Sequence, residues 1–115
     1  MDFTFPLEGM ANAITSNTRI VYVNNPSNAS GRPIRKEAIR TIARAAGQAL
    51  VFVDEAYHDF LGENFLDEAE EYPHVLVVRT YCKAFGLPGM RFGLMTASPQ
   101  IFASHRSCMR VFPRN

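Results

Sequence analysis

The stretch RIVYVNNPSNASGRPIRKEAIRTIARAAGQALVFVD, residues 19–54, decides the fold. It opens with the apolar run Ile20–Val23 and closes with a second apolar run, Leu50–Val53. Pro33 suits the first position of a helix between them, and Gly47 suits its end. The apolar residues that recur there at helical spacing are Ile34, Ala38, Ile39, Ile42, Ala43 and Ala46. A strand, a helix and a strand in succession predict a right-handed βαβ connection.

Two further apolar runs extend this pattern. Val75–Arg79 predicts a third strand and Phe92–Ala97 a fourth, while Asp67–Glu71 predicts a short acidic helix. Because the early runs are apolar at nearly every position, their strands are expected to be covered on both faces, and residues 18–24 to form an interior strand. The sequence therefore predicts an α/β fold with a mostly parallel sheet flanked by helices.

The predicted helices are too few to cover such a sheet. Ser98 as N-cap and Pro99 open a last helix that is expected to run towards Met109 and to stop at Pro113. The basic residues of the first helix are expected to form a solvated outer face, and they are Arg35, Lys36, Arg40 and Arg44. One clear helix and two weaker ones cannot cover two faces, so residues 1–115 are expected to be part of a domain.

Composition argues against several classes of partner. The net charge of +1 over 115 residues gives no basic field of the kind that binds nucleic acid. No apolar run approaches the roughly 20 residues that cross a bilayer, and Met1–Pro6 lacks the basic start of a signal peptide. Cys82 and Cys108 make no disulfide framework, which favours a reducing cytoplasm. No metal site is expected, because no cysteine or carboxylate is suitably spaced from the three histidines, His58, His74 and His105.

Chemically useful side chains follow three of the strands. Asn28 lies in the turn after the first strand, Asp54 follows the second directly, and Lys83 follows the third. In a parallel sheet the loops at the carboxyl ends of neighbouring strands collect at one edge, where ligands bind. A P-loop ATPase also places an aspartate after an apolar strand, but it needs a G-x-x-x-x-G-K-[ST] loop, and Ala84 follows Lys83. An amide, a carboxylate and an amine are therefore expected to meet at this edge.

This set of groups suits pyridoxal phosphate. Lys83 can form the Schiff base, and Asp54 can keep the pyridine nitrogen protonated. A partly buried carboxylate stabilises the pyridinium cation better than water does. The phenolic oxygen and the phosphate of the cofactor also need donors, and the candidates are Asn28, Tyr57, Thr80 and Arg91.

Three motifs in order make the sequence recognisable. Residues 25–31 (NPSNASG) are similar to a PNNPTG turn, residues 54–60 (DEAYHDF) to a DEAY motif, and residues 79–93 (RTYCKAFGLPGMRFG) to an RTLSKAFGLAGLRxG segment. On these motifs the chain resembles the fold-type I pyridoxal-phosphate aminotransferases, closest to their histidinol-phosphate aminotransferase branch. The resemblance implies part of that fold's large domain. It also implies transfer of an amino group between an amino acid and a 2-oxo acid or phosphorylated ketone, with full-length homodimers.

The resemblance assigns roles to single residues. Lys83 would form the Schiff base and shuttle the proton, Asp54 would bind the pyridine nitrogen, and Glu55 is expected to be structural. The other cofactor-binding positions are Asn28 and Tyr57 at the phenolic oxygen and Thr80, Cys82 and Arg91 at the phosphate. Cys82 replaces a serine, and because a thiol is the poorer donor, weaker phosphate binding is expected. Ala29 replaces a proline, so a cis peptide bond there would cost about 2.5–4 kcal/mol.

Two alternatives stay open. A phosphoamino-acid decarboxylase shares the lysine segment, and the contacts that would separate it from an aminotransferase lie outside these motifs. A truncated, inactive remnant, acting at most as a binding or association module, fits the two substitutions. It also fits the regions that the resemblance implies beyond this chain: an amino-terminal phosphate loop and a carboxy-terminal small domain with an arginine for the substrate carboxylate.

Overall fold

The computed structural model describes residues 4–61 and 64–106. Four strands form one sheet: β1 (Ile20–Asn24), β2 (Leu50–Asp54), β3 (Val75–Thr80) and β4 (Gly93–Ala97). The helices of this part of the chain are α1 (Leu7–Ala13), α2 (Lys36–Ala45) and α3 (Pro99–Arg106). Short 3-10 helices span His58–Phe60, Leu66–Glu71 and Pro88–Met90.

The strands lie in the order β1-β2-β3-β4. β1 pairs with β2 and β2 with β3 in parallel, so that Asn24, Asp54 and Val78 lie side by side. β4 is antiparallel to β3, with Gly93 opposite Thr80. A Cβ atom on Gly93 would lie 2.8 Å from the carbonyl oxygen of Arg79, so this close approach of β4 requires glycine. The predicted α/β fold with a mostly parallel sheet is confirmed.

One face of the sheet is packed into the core against α2. Alternate residues of the three parallel strands are buried there, namely Val21, Val23, Val51, Val53, Val75 and Val77. Ile39 and Ile42 of α2 are fully buried in the same cluster, together with Phe65. This period-2 pattern in the strands and the helical spacing in α2 bury one continuous apolar layer.

The predicted helix exists, but α2 begins at Lys36 and not at Pro33. Arg35 has an extended backbone with φ −62° and ψ 142° and is the N-cap. The amide of Ile34 donates instead to the side-chain oxygen of the buried Asn25, at 2.7 Å, which holds this segment in the turn. At the other end Gly47 has φ +61°, the left-handed conformation that commonly closes a helix.

Two of the four basic residues that were expected on a solvated face form ion pairs. Lys36 Nζ lies 2.9 Å from Asp67 Oδ2, and Arg40 Nε lies 2.6 Å from Glu68 Oε2. Both acids belong to the 3-10 helix Leu66–Glu71, which stands where a short acidic helix is predicted. Lys36 and Arg40 are still partly exposed, but the acidic segment folds back onto them, so their part of the outer face is ion-paired and not only solvated.

The second face of the sheet is only partly covered. Ile20 and Tyr22 are 62% and 53% exposed, and β1 lies at the edge of the described sheet. Within the described residues β1 is therefore an edge strand with one exposed face, whereas the sequence predicts an interior strand over residues 18–24. Leu76 on the same face is 5% exposed and lines a pocket with Ile101 of α3. α3 thus lies beside this face at the end of the sheet away from Asp54.

The last helix begins as the sequence predicts. Pro99 is the first residue of α3, and the hydroxyl of Ser98 accepts a hydrogen bond from the amide of Ile101 at 3.4 Å. The predicted continuation to Met109 and the stop at Pro113 lie outside the described residues. In residues 4–61 and 64–106, no helix has the length and apolar character needed to span a membrane, and no group of three potential metal ligands occurs.

Candidate active site

The residues singled out from the sequence lie at or just beyond the carboxyl ends of the parallel strands. Asp54 ends β2 and Thr80 ends β3. Asn28 is in the turn after β1, and Tyr57 immediately precedes the 3-10 helix that follows β2. Cys82, Lys83 and Arg91 lie in the connection between β3 and β4. Because β1, β2 and β3 are parallel neighbours, these segments share one edge of the sheet.

Asp54 has a well-defined environment. Its Oδ2 accepts a hydrogen bond from the hydroxyl of Tyr22 at 2.5 Å, and its Oδ1 accepts one from the amide of Ala56 at 2.9 Å. The hydrogen bond and the negative charge of Asp54, with partial burial, raise the pKa of Tyr22 to about 12. The carboxylate is thus held by two donors at the end of β2.

Lys83 and Tyr57 form the second contact of the site. The Nζ atom of Lys83 lies 5.3 Å from the centre of the Tyr57 ring, in a cation–π contact. Tyr57 also lines a pocket of about 250 Å³ with Asn28, Gly31 and Phe60. The turn after β1, the turn after β2 and the lysine segment after β3 therefore adjoin one another.

Thr80, Cys82 and Arg91 form the third group. The hydroxyl of Thr80 accepts a hydrogen bond from the amide of Cys82 at 3.2 Å and donates one to the carbonyl of Phe92 at 3.3 Å. The Thr80 hydroxyl lowers the pKa of the Cys82 thiol, assisted by the backbone of Phe92 and the charge of Arg91, against a smaller opposing effect of burial. Arg91 has φ 49° and ψ 42°, a left-handed conformation that is uncommon for a residue other than glycine and recurs at functional sites.

Asp54 and Lys83 are not joined to each other. In the described part of the chain the side-chain hydrogen bonds of Asp54 go to Tyr22 and to the amide of Ala56, and Lys83 lies over Tyr57. The sequence predicts that Asp54 and Lys83 bind opposite ends of the pyridine ring of pyridoxal phosphate, and two such side chains are not expected to touch. The arrangement therefore leaves separate places for an acid and an amine.

Several structural residues of the site were missed from the sequence. Tyr22 is one, since its hydroxyl reaches Asp54 from the neighbouring strand. Asn24 is another, because its Oδ1 accepts the amide of Asn28 at 2.6 Å and shapes the turn. The run of Asn, Pro and Ser residues was a signal for such side-chain-to-backbone bonds. The cis peptide bond of this turn joins Asn25 and Pro26. Ala29, which replaces a proline of the family motif, lies three residues after Pro26.

A buried ion pair supports the site from the core side of the sheet. The side chain of Glu55 is fully buried, and its Oε2 accepts a hydrogen bond from Nε of Arg79 at 2.8 Å. Its other oxygen, Oε1, accepts the amide of Phe65. This position agrees with a structural role for Glu55. Asp54 and Thr80 are the sequence neighbours of this pair, so the pair fixes both strand ends.

The environment of Cys82 predicts an alkylation profile. We expect iodoacetamide to modify this thiol with a pH midpoint below the ordinary thiol value of 9.0, because the thiolate is stabilised by the Thr80 hydroxyl. The measurement is the rate of modification against pH in a Cys108→Ser background. Thr80→Val removes the hydroxyl and raises the midpoint. A midpoint of 9.0 or above in the unchanged site would contradict this account.

The chain resembles known proteins over almost its whole length. The family described as aminotransferase class I and II matches residues 1–114. An aromatic amino acid aminotransferase of Mycobacteroides abscessus is 35% identical over 108 residues, which are 90% of this chain and 31% of that protein. A histidinol-phosphate aminotransferase 2 of Ralstonia nicotianae is 40% identical over 107 residues, which are 89% of this chain and 29% of that protein.

A solved structure gives the same result. The histidinol-phosphate aminotransferase of Sinorhizobium meliloti, in complex with pyridoxal-5'-phosphate, matches with a TM-score of 0.78 and 29% identity, over 90% of this chain and 29% of that one. The chain therefore spans less than a third of the length of these relatives. With a family match that covers residues 1–114 and a sheet of the same fold, the chain belongs to the class I and II aminotransferase family.

Proposed function

We propose that this chain is the central part of the cofactor-binding large domain of a pyridoxal-phosphate-dependent aminotransferase. The observation that carries the proposal is the edge where Asp54 ends β2, Thr80 ends β3 and Lys83 lies over Tyr57. Family membership supports the same activity. Because the relatives are more than three times as long, the activity belongs to a protein that includes further segments.

The residues present fit pyridoxal phosphate by their chemistry. The cofactor has a pyridine nitrogen, a phenolic oxygen, an aldehyde and a phosphate, and each needs a different partner. Asp54 supplies a carboxylate for the nitrogen, Lys83 an amine for the aldehyde and Tyr57 a phenol for the phenolic oxygen. The remaining donors are the amide of Asn28, the hydroxyl of Thr80, the thiol of Cys82 and the guanidinium of Arg91. The complex of the Sinorhizobium meliloti enzyme with this cofactor supports the assignment.

When bound, the cofactor supplies an electron sink for a carbanion at the Cα atom of the substrate. Lys83 Nζ, once free, would accept the Cα proton of the substrate and later donate it, so a single amine would act as base and then as acid. Asp54, which is half-buried, would hold the ring nitrogen in its charged, protonated form through Coulomb attraction. Before the cofactor binds, the ammonium group of Lys83 lies over the ring face of Tyr57.

Phosphate binding is the part of the proposal in which this chain departs from its family. Arg91 is exposed and supplies the positive charge, and Thr80 supplies a hydroxyl. Cys82 offers only a thiol, which is a weaker donor than the serine hydroxyl usual in the family. Weaker retention of the phosphate therefore stays a prediction.

The substrates we propose are amino acids or amino-acid-like phosphates, with a 2-oxo acid as acceptor. The names of the two relatives point to different donors, histidinol phosphate and aromatic amino acids. The complete protein is proposed to be a homodimer, as the resemblance implies. A cytoplasmic location is proposed because a chain with two cysteines has no disulfide framework.

An amino-donor panel tests this proposal. The complete protein, purified and supplied with pyridoxal phosphate, is given histidinol phosphate, phenylalanine or tyrosine, and 2-oxoglutarate, and glutamate formation is measured. We expect glutamate from at least one donor, in a reaction that requires the cofactor. Release of carbon dioxide from a phosphoamino acid without glutamate would favour a decarboxylase, and failure to bind the cofactor would favour an inactive remnant.

A further inference from the structure

We propose that Tyr22 is a positioning residue that aims the Asp54 carboxylate at the ring nitrogen of the cofactor. This inference rests on the proposed function, because it concerns the same site. Tyr22 lies outside the three motifs that carry the family resemblance, in the middle of β1. Its hydroxyl nevertheless makes the shortest contact with Asp54, 2.5 Å to Oδ2.

The two donors to Asp54 fix the plane of its carboxylate. Tyr22 binds Oδ2 from the neighbouring strand, and the amide of Ala56 binds Oδ1 at 2.9 Å from the following turn. A carboxylate offers about four lone-pair positions, so each oxygen keeps one for a further donor. With one oxygen held from each side, rotation about the Cβ–Cγ bond is blocked. A protonated ring nitrogen can then bind without reorganising the acid.

The tyrosine is itself held in place by the sheet. β1 and β2 are in register with Tyr22 opposite Phe52 and Asn24 opposite Asp54. Tyr22 and Asp54 therefore share a face and are diagonal neighbours, a separation that an aromatic side chain can bridge. The ring of Tyr22 stacks on Phe52 with 5.5 Å between centroids and an angle of 24°. This stacking directs the hydroxyl towards the end of β2.

The hydrogen bond to Asp54, with partial burial and the charge of Asp54, keeps the phenol a donor. Asp54 raises the pKa of Tyr22 to about 12, so the hydroxyl stays protonated throughout the neutral and mildly alkaline range. The hydroxyl therefore always presents a proton to Oδ2. A phenylalanine at this position would keep the stacking on Phe52 and lose the donor alone, which makes it the informative replacement.

The binding test compares two cofactors. Tyr22→Phe is expected to weaken the binding of pyridoxal phosphate by roughly 3–10-fold. This is the effect of losing one hydrogen bond that orients a charged partner. The same substitution should weaken the binding of the 1-deaza analogue, which has carbon in place of the ring nitrogen, by less than about 2-fold. This analogue has no ring N–H group to donate a hydrogen bond to Asp54. Tyr72→Phe is the matched control, since its ring packs on Phe65 and His74. It is expected to change neither affinity.

A measurement without cofactor checks the contact itself. In protein labelled at the tyrosine ring carbons, the Tyr22 phenol should remain neutral at a pH where an ordinary tyrosine, with a pKa of 10.0, has ionised. Asp54→Asn should return the pKa of Tyr22 towards that ordinary value. An ordinary titration of Tyr22 in the unchanged protein would overturn the inference at its first step.

The outcomes separate this inference from the proposed function. If the unchanged protein binds pyridoxal phosphate and Tyr22→Phe binds both compounds as tightly, the role of Tyr22 is wrong and the proposed function stands. Equal weakening of both compounds would also overturn it, because the loss would not involve the ring nitrogen. If the unchanged protein binds neither compound, the proposed function fails and the inference fails with it.

Discussion

Replacing Lys83 by alanine is expected to abolish covalent attachment of pyridoxal phosphate and to lower amino-group transfer by roughly 10²–10⁴-fold. Lys83 is the amine that adjoins Tyr57 at the carboxyl edge of the sheet, and it is the residue proposed to form the Schiff base and to transfer the proton. The measurement is borohydride reduction of the protein with added cofactor, peptide mapping of the modified residue, and the rate of glutamate formation. Since Lys83 is exposed, the variant should fold normally.

The chain offers a matched control for this experiment. The chain contains two lysines. The other one, Lys36, lies on α2 and forms an ion pair with Asp67. Lys36→Ala is expected to leave both the modification of Lys83 and the transfer rate unchanged. Equal labelling of the Lys83→Ala variant, or labelling directed to Lys36, would show that the site is wrongly assigned.

The strands and α2 were predictable because their signals are local. Four apolar runs and one helical repeat of apolar residues each fall within fewer than about 15 residues, where sequence period and structure correspond directly. A parallel arrangement then collects the strand ends, which explains why Asn28, Asp54 and Lys83 could be expected at one edge. The parallel topology, more than any single motif, made the position of the candidate site predictable.

The parts that were not predicted depend on contacts between distant residues. Local pattern cannot show that Asp67 and Glu68 fold back 31 and 28 residues onto Lys36 and Arg40. Nor can it show that Tyr22 reaches Asp54, since this requires the register of β1 against β2.

Within the described residues, the position of β1 differs from the prediction for a related reason. Its apolar character predicts cover on both faces, yet Ile20 and Tyr22 are exposed here. An apolar sequence predicts that a strand is buried, but it does not identify the segment that covers the strand. The same exposed face bears Asp54, so the acid of the candidate site lies beside the apolar residues that the interior-strand prediction had placed under cover.

Removing the charge of Glu55 is expected to have the largest effect on stability. Glu55→Gln leaves the guanidinium of Arg79 buried without its counter-charge, and loss of one partner of a buried pair costs about 3–5 kcal/mol. Arg79 keeps some contact with solvent, so we expect the lower end, about 3 kcal/mol, in the free energy of unfolding from denaturant titration. Because Asp54 and Thr80 adjoin the pair, weaker cofactor binding should accompany the loss.

Two further variants test the cause of that loss. In Glu55→Gln with Arg79→Leu, the amide oxygen can still accept the Phe65 amide and no charge is buried, so more than half of the lost stability should return. Glu37→Gln removes an exposed carboxylate and should change stability by less than about 0.5 kcal/mol. If the double variant were as unstable as Glu55→Gln, the cost would come from packing around Glu55 rather than from an unpaired charge. The strand ends beneath Asp54 and Thr80 would then be held together by shape, and the ion pair would contribute little to the geometry of the site.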